Sequence, residues 1–395
     1  MKKLNVVVIG GGMYVSGRGT SGYGTVLPAL SEWVRTGSHC GDLYCVTTSV
    51  DSVSSVEEKA RELTDKTGIN LKLNLYPKSG SPITESYLEV IKKVQKPACA
   101  IIVVPDHLHY SVARDCLLEG LHVLLVKPLT PTVAEALELI DIATKAKLHG
   151  AVEFHKRWDR SNLLFRDQFK SGALGVPLNC LVEYSQRKSV PTGFFKEWAM
   201  ETNILQYLGI HYIDVVRFVT NAMPLRVMAI GQKSFLIGEG IDTYDSIQCV
   251  IEWQMKNGEL FTQNVITNWI DPNNSSAHSD QKVKMIGTKG RYEAEQKDRG
   301  ITVVTDDNGI EHINPDFCMS YGTHNGDISW RGYGIDSFTS FLNDVIALEQ
   351  GRCSLAELNS SRPCFKEGLI STAIIEAANK SLAEDSVWVS VPNFA

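Results

Sequence analysis

Lys127 stands at the end of a short apolar run, His122-Val123-Leu124-Leu125-Val126, and Pro128 follows it. Upstream, a second run, Ala100-Ile101-Ile102-Val103-Val104, ends in Pro105-Asp106-His107-Leu108-His109. Between the two lies a helix-like stretch from Ser111 to Glu119, closed by Gly120. The order is strand, loop, helix, strand. Loops at the carboxyl ends of parallel strands are where such sheets bind ligands. A lysine there can reach a bound substrate, and the proline after it restricts the local backbone. At the amino terminus a continuous apolar strand, Leu4 to Ile9, runs straight into Gly10-Gly11-Gly12. Glycines let a backbone approach a pyrophosphate, and a following helix N-terminus favours its charge. The spacing departs from G-x-G-x-x-G, because Val15 stands where the third glycine belongs. The turn runs on through Ser16 to Gly24, which predicts an enlarged phosphate loop and a helix starting near Thr25 that carries Leu27, Leu30 and Val34. A merely flexible glycine loop is the competing reading; the position directly after the first strand weighs against it.

These segments together resemble the glucose–fructose oxidoreductase and inositol dehydrogenase family, Gfo/Idh/MocA, along nearly the whole chain. Val6-Val7-Val8-Ile9-Gly10-Gly11-Gly12-Met13 resembles its opening, and Leu27-Pro28-Ala29-Leu30 its first helix. Val104-Pro105-Asp106-His107-Leu108-His109 resembles its proline–asparagine–x–x–histidine loop, with Asp106 where asparagine is usual. Gly120 to Leu129 resembles the segment that ends in Glu-Lys-Pro, with Val126 replacing the glutamate. Gly209-Ile210-His211-Tyr212-Ile213-Asp214 resembles its glycine–x–histidine–x–x–aspartate helix, and Gly287-Thr288-Lys289-Gly290-Arg291 a late turn in its second domain. In most family dehydrogenases an aspartate lies four residues before the catalytic histidine; here that position is Tyr207. The resemblance implies a nicotinamide-dependent oxidoreductase acting on a hydroxyl or keto group of a sugar, a cyclitol or a derivative, and a homodimer or homotetramer.

Oxidising an alcohol requires a base for the hydroxyl proton while hydride leaves, and histidine suits that task near neutral pH. A lysine can stabilise the developing alkoxide, or act as base once burial lowers its pKa. His211 is therefore assigned as acid/base, Lys127 as its electrostatic partner or proton relay, and Tyr207 as a hydroxyl that donates to a sugar oxygen, takes part in proton transfer, or packs. An isolated helix histidine would more often be a hydrogen-bonded structural residue; the resemblance around His211 reverses that. Cofactor contacts are expected from Gly10, Gly12, Met13, Tyr14, Thr48, Ser49, Pro105, His107, His109 and Lys127. The second strand ends in Thr47-Thr48-Ser49, with Asp51 a little late and no arginine directly after it. NAD is favoured on that absence, with NADP left open. Substrate contacts are expected from His155, Arg157, Asn203, Gln206, Arg187, Lys188 and Trp198. Lys156, Arg157, Arg160, Arg187 and Lys188 would suit an anionic sugar, although a basic run is more often solvated surface. An alternative activity is an NAD-dependent glycosidase that oxidises a sugar transiently, eliminates the glycosidic bond, adds water and returns hydride. A second alternative is a non-catalytic dinucleotide-binding regulator; retention of Lys127 and His211 counts against it.

The elements that must position these residues alternate strand and helix to about residue 150: strands at 43–48 and 71–76, a turn from Pro77 to Pro82, and helices at 56–66, 85–94 and 132–147. This reads as an α/β chain whose residues 1–150 form a dinucleotide-binding Rossmann domain, a doubly wound parallel sheet. Ala151 to Phe154 reads as a sixth strand. Residues 151–395 read as an α+β substrate and oligomerisation domain with a large, mostly antiparallel open sheet; strands are expected at 179–186, 226–234, 245–254, 260–267 and 281–287. A helix from about Asn203 to Val219 carries His211, and helices at 334–349 and 362–382 are free to pack back on the first domain. With 395 residues, 43% hydrophobic and 21% charged, the chain has the composition of a globular protein large enough for two cores. A net charge of −6 argues against a general nucleic-acid binder, and no apolar run approaches a membrane span. Met1-Lys2-Lys3 leads directly into the first strand, which argues against a cleaved leader and for a cytoplasmic protein. Nine scattered cysteines without C-x-x-C spacing read as reduced thiols, not as a zinc site.

Overall fold

The computed structural model describes residues 3–37, 39–78 and 86–394. The chain divides into two compact units: residues 1–130, 134–155 and 316–368, and residues 131–133, 156–315 and 369–395. Residues 316–368, which include a C-terminal helix, belong to the first unit.

The first unit is built on a parallel sheet of six strands: β1 (Leu4–Ile9), β2 (Cys40–Val46), β3 (Leu73–Tyr76), β4 (Ala98–Ile102), β5 (His122–Val126) and β6 (Gly150–Glu153). Their order is β3-β2-β1-β4-β5-β6. That is the doubly wound order in which ligands bind beyond the strand ends. Val6, Val7 and Val8 are all buried, as expected of a central strand covered on both faces. Between the strands run α1 (Met13–Ser16), α2 (Val26–Thr36), α3 (Val50–Thr67), α4 (Ser86–Lys93), α5 (His109–Leu118) and α6 (Val133–Ala146). α3 begins six residues before the apolar periodicity does, because the Ser49 side chain accepts from the Ser52 backbone N–H and caps it. Gly68 closes it in the left-handed conformation. The expected turn at Pro77–Pro82 and the start of the helix at Glu85 fall partly outside the described residues. A later helix, Tyr333–Glu349, packs Phe338, Phe341 and Leu342 into the same core as Leu27, Leu30 and Trp33 of α2.

The second unit contains α7 (Arg160–Lys170), α8 (Ile210–Thr220) and a sheet of β7 (Pro177–Arg187), β8 (Met223–Gln232), β9 (Ser246–Gln254), β10 (Leu260–Asp271), β11 (Ser279–Gly287) and β12 (Arg291–Glu295). Two further hairpins are β13 (Thr302–Thr305) with β14 (Gly309–His312), and β15 (Met319–Gly322) with β16 (Ile328–Arg331), the latter in the first unit. β17 (Val389–Ser390) edges the large sheet, whose order is β12-β11-β7-β10-β9-β8-β17. Only the β7–β10 pair is parallel among them. Residues alternate along each strand: Ile247, Cys249, Ile251 and Trp253 of β9 are buried while those between are less so.

Candidate active site

In the first unit the glycine turn is tightly constrained. Gly10 has φ +125°, and a Cβ there would stand 2.1 Å from the Val103 carbonyl oxygen, so β1 approaches β4 as only glycine allows. Gly12 has φ −77° and open space where its Cβ would project. That is the cradle a dinucleotide backbone requires, and the residues fit the group. The turn is enlarged as expected: α1 intervenes, and Gly17 and Gly24, both left-handed, lean on each other before α2 starts after Thr25. Thr48 is exposed, and Ser49 serves the cap of α3. Arg18 reaches from the enlarged turn to that cap, donating to Ser52 Oγ at 2.7 Å.

Tyr14 was expected to touch cofactor. Its hydroxyl instead donates to Glu153 Oε1 at 3.3 Å and lies 3.3 Å from His155 Nδ1. Burial, then the Glu153 charge, pushes its phenol well above the usual tyrosine range. Around β4 and β5, Pro105 is half-buried and His107 exposed. His109 is fully buried, with Nδ1 2.7 Å from the Pro128 carbonyl and Nε2 3.0 Å from that of Val104. It ties two loops together, which corrects its assignment as a cofactor contact. Lys127, half-buried at the end of β5, is lowered to about 8 by desolvation, against the upward pull of Asp106 and then Glu153. His155 stacks on Tyr333 at 5.5 Å and sets Nδ1 3.1 Å from both oxygens of Glu153. That ring nitrogen is committed to a protein carboxylate.

In the second unit His211 is buried at the first turn of α8. The residues before it, Leu205–Gly209, form a π-turn, not an α-turn. The widened spacing removes the expectation that Tyr207 sits one α-turn above His211 on the same face. Tyr207 instead joins an aromatic cluster, with ring centroids 5.0 Å from Phe195, 5.9 Å from Trp198 and 5.6 Å from Trp269. Gly209 allows the turn to lie on β10; a Cβ there would come within 2.6 Å of Leu205 Cδ1 and 3.3 Å of Thr267.

Several expected substrate contacts are engaged elsewhere. Arg157 makes two hydrogen bonds to the Asp214 carboxylate, Nε to Oδ2 at 2.8 Å and Nη2 to Oδ1 at 2.6 Å, with both residues buried. A buried guanidinium must be paired, so Arg157 fixes α8 and is not presented to a ligand. Lys156 donates to Gln281 at 2.5 Å and Gln296 at 3.0 Å over the Tyr212 ring, and desolvation lowers it to about 7. Arg187 donates to the Ser275 carbonyl, Lys188 lies 4.6 Å over the Phe235 ring, and Arg160 is exposed. These cations do not converge. Asn203 accepts from the Gln206 backbone N–H at 3.0 Å and donates to Asn379 at 2.8 Å, while Asn379 donates to Gln206 Oε1 at 3.4 Å. Both amides therefore help to hold the π-turn in place. The sequence reading missed Glu153 and Arg18. A charged residue closing the apolar strand Gly150–Glu153 was the available signal for the first.

Residues 4–154 match the family model described as the oxidoreductase family with NAD-binding Rossmann fold, and residues 163–293 match the Gfo/Idh/MocA C-terminal domain. An oxidoreductase of Schizosaccharomyces pombe is 33% identical over 162 residues, 41% of this chain and 40% of that protein. A second fission-yeast oxidoreductase is 27% identical over 51% of its own length, so the chain spans about half the length of these relatives. Myo-inositol 2-dehydrogenase of Thermotoga maritima is 22% identical over 64% of this chain and 69% of its own. Among solved structures, an inositol dehydrogenase homologue from Azotobacter vinelandii in complex with NADH and myo-inositol superimposes with TM-score 0.70 at 16% identity, covering 98% of both chains, a likeness of fold. Two matched domains in sequence, over the sheet orders described above, place this chain in the Gfo/Idh/MocA oxidoreductase family.

Proposed function

We propose that the protein is an NAD(P)-dependent oxidoreductase of a sugar or cyclitol hydroxyl, with Lys127 and His211 as the groups that handle the proton and the alkoxide. The observation that carries this reading is Lys127: a half-buried ammonium at the carboxyl end of a Rossmann strand, lowered to about 8, in the same parallel sheet whose first strand ends in a glycine turn open at Gly12. Gly10, Gly12 and Met13 would hold the pyrophosphate, Thr48 and Ser49 the adenosine ribose, and Pro105 and His107 the nicotinamide side. Bound nicotinamide supplies the hydride acceptor. His211 takes the hydroxyl proton, and Lys127 stabilises the negative oxygen as it forms. Tyr207 and Trp198 belong to an aromatic cluster suited to the apolar face of a sugar ring. The internal pairing of Lys156 and Arg157 favours a neutral polyol over an anionic sugar. Arg18 beside Ser52 favours acceptance of a 2′-phosphate, so NADP(H) stands beside NAD(H).

The test is a panel of cyclitols, aldoses and glycosides followed at the nicotinamide absorbance, with both dinucleotides titrated by fluorescence. Turnover with net NAD(P)H formation is expected, and His211→Asn and Lys127→Met are each expected to lower kcat about 10²–10⁴-fold. Hydrolysis of a glycoside without net reduced cofactor would replace this reading with the glycosidase; binding without turnover across the panel would replace it with a regulator.

A further inference from the structure

In a Rossmann sheet the adenosine ribose lies past the end of the second strand, where an acidic side chain binds the 2′-hydroxyl of NAD or an arginine takes the 2′-phosphate of NADP. Here β2 is followed by Thr47, Thr48 and Ser49, three hydroxyls and no acid. Thr47 is buried and donates to the Ser49 carbonyl at 3.0 Å. Ser49 Oγ accepts from the Ser52 N–H at 3.1 Å and lies 2.9 Å from Ser52 Oγ. The glycine turn runs against this corner: a Cβ on Gly11 would stand 2.5 Å from Thr47 Cγ2.

Into the same corner comes Arg18. It stands in the enlarged turn between Gly17 at φ +75° and Gly19 at φ +80°, and the Thr20 N–H closes that stretch on the Gly17 carbonyl at 2.8 Å. Its Nη1 donates to Ser52 Oγ at 2.7 Å. Ser52 is 2% exposed, whereas Arg18 is exposed. A buried hydroxyl thus holds one nitrogen of a solvent-facing guanidinium, and Arg18 makes no ion pair among the described residues. That includes Asp51, the exposed acid beside Ser52. A ribose diol needs an acceptor such as a carboxylate, while a phosphate needs donors, and a guanidinium offers several in one plane. The corner is chemically matched to the phosphate.

We propose that Arg18 takes the 2′-phosphate of the dinucleotide, with Ser52 as its positioning residue, so that the protein prefers NADP(H) to NAD(H). The specificity group comes from the loop after β1 and not from the end of β2. The inference rests on dinucleotide binding in the reading above, and its test separates the two.

Isothermal titration of the full-length protein compares NADP+ with NAD+, and 2′,5′-ADP with 5′-AMP, a pair that differs only in the 2′-phosphate. Wild type is expected to hold the phosphorylated member of each pair at least about tenfold tighter. Arg18→Leu is expected to weaken NADP+ and 2′,5′-ADP by about 10–100-fold, the worth of a charge-assisted contact, and to change NAD+ and 5′-AMP by less than about twofold. Arg18→Lys keeps the charge without the planar fork and is expected to fall between. Ser52→Ala is expected to lower the NADP+ to NAD+ preference by about three- to tenfold, which a merely structural role for Ser52 does not predict. Equal affinity of wild type for both members of each pair overturns the proposal, as does loss of both members by the same factor in Arg18→Leu. A weaker NAD+ affinity in Asp51→Asn, with Arg18→Leu indistinguishable from wild type, also overturns it by placing the ribose diol on the acid. NADP+ held through Arg18 by a protein that turns over nothing on the substrate panel upholds this site and removes the oxidoreductase reading. Turnover without preference between the dinucleotides does the reverse, and failure to bind either overturns both.

Discussion

A buried guanidinium keeps its charge, so Arg157 needs a carboxylate more than a ligand does. Asp214 answers it with two short hydrogen bonds inside the core of the second unit. Breaking such a pair from one side leaves an uncompensated buried charge, at a cost of about 3–5 kcal/mol, whereas replacing both partners with apolar groups is far milder. Asp214→Asn should therefore lower the denaturant midpoint markedly, and Arg157→Met with Asp214→Leu should recover most of that loss. If Arg157 bound substrate instead, Arg157→Lys would raise KM in a protein of normal stability, and steady-state kinetics beside a urea melt distinguishes the two. The pairing could not be read from the sequence. The two residues are far apart in the chain, and the pairing depends on the three-dimensional arrangement of α8 against the turn before α7. The strand end before Lys127 and the glycine-led helix start before His211 were legible because each carries a local signal. The burial of Glu153 was not, because it depends on Tyr14 and Ser337, both distant in the chain, donating to its carboxylate.

At the scale of elements, the strand after Met1, the glycine turn and the start of α2 follow from local rules: an apolar run for a buried strand, glycines where φ is positive, Thr25 before an amphipathic helix. What escaped those rules was set by tertiary contact. Leu205–Gly209 becomes a π-turn where Gly209 lies against β10, whereas the early start of α3 comes from a local signal, the Ser49 cap. The glycine turn makes a prediction that separates folding from binding. Gly10→Ala must move the backbone away from the Val103 carbonyl and strain a positive φ, so it is expected to destabilise the first unit by about 1–3 kcal/mol. Gly12→Ala meets open space at an ordinary φ and is expected to melt like wild type. The new methyl would nonetheless stand where the dinucleotide backbone must approach, so fluorescence titration should show weaker binding of NAD(H) and NADP(H) alike. Normal binding by Gly12→Ala would mean that the pyrophosphate lies elsewhere along the enlarged turn.

Across the whole molecule, each unit buries a base whose proton affinity is depressed, and the two act in different pH ranges. In the first unit His149 is buried beside Phe341, ring centroids 5.6 Å apart, with neither ring nitrogen hydrogen-bonded among the described residues. Desolvation, then the neighbouring His122 and Arg362, lowers it to about 3. In the unfolded chain the same imidazole titrates near 6.5. Between those values the unfolded state binds more protons than the folded one, so stability falls as pH falls, beginning below about 6.5 and levelling near 3. In the second unit Lys156, lowered to about 7 chiefly by desolvation, favours the folded state increasingly as pH rises from about 7 toward its unfolded value near 10.5. The two contributions have the same sign but separate windows. His149→Phe would keep the ring stack and remove the titration. Its urea midpoint is expected to fall less steeply than wild type between pH 6.5 and 4.5, a difference of up to about 2.7 kcal/mol at one pKa unit per 1.36 kcal/mol, while the slopes above pH 7, where Lys156 acts, coincide. Parallel acid limbs in the two proteins would mean that His149 is protonated in the folded state without penalty, and that another group in the first unit controls its acid unfolding.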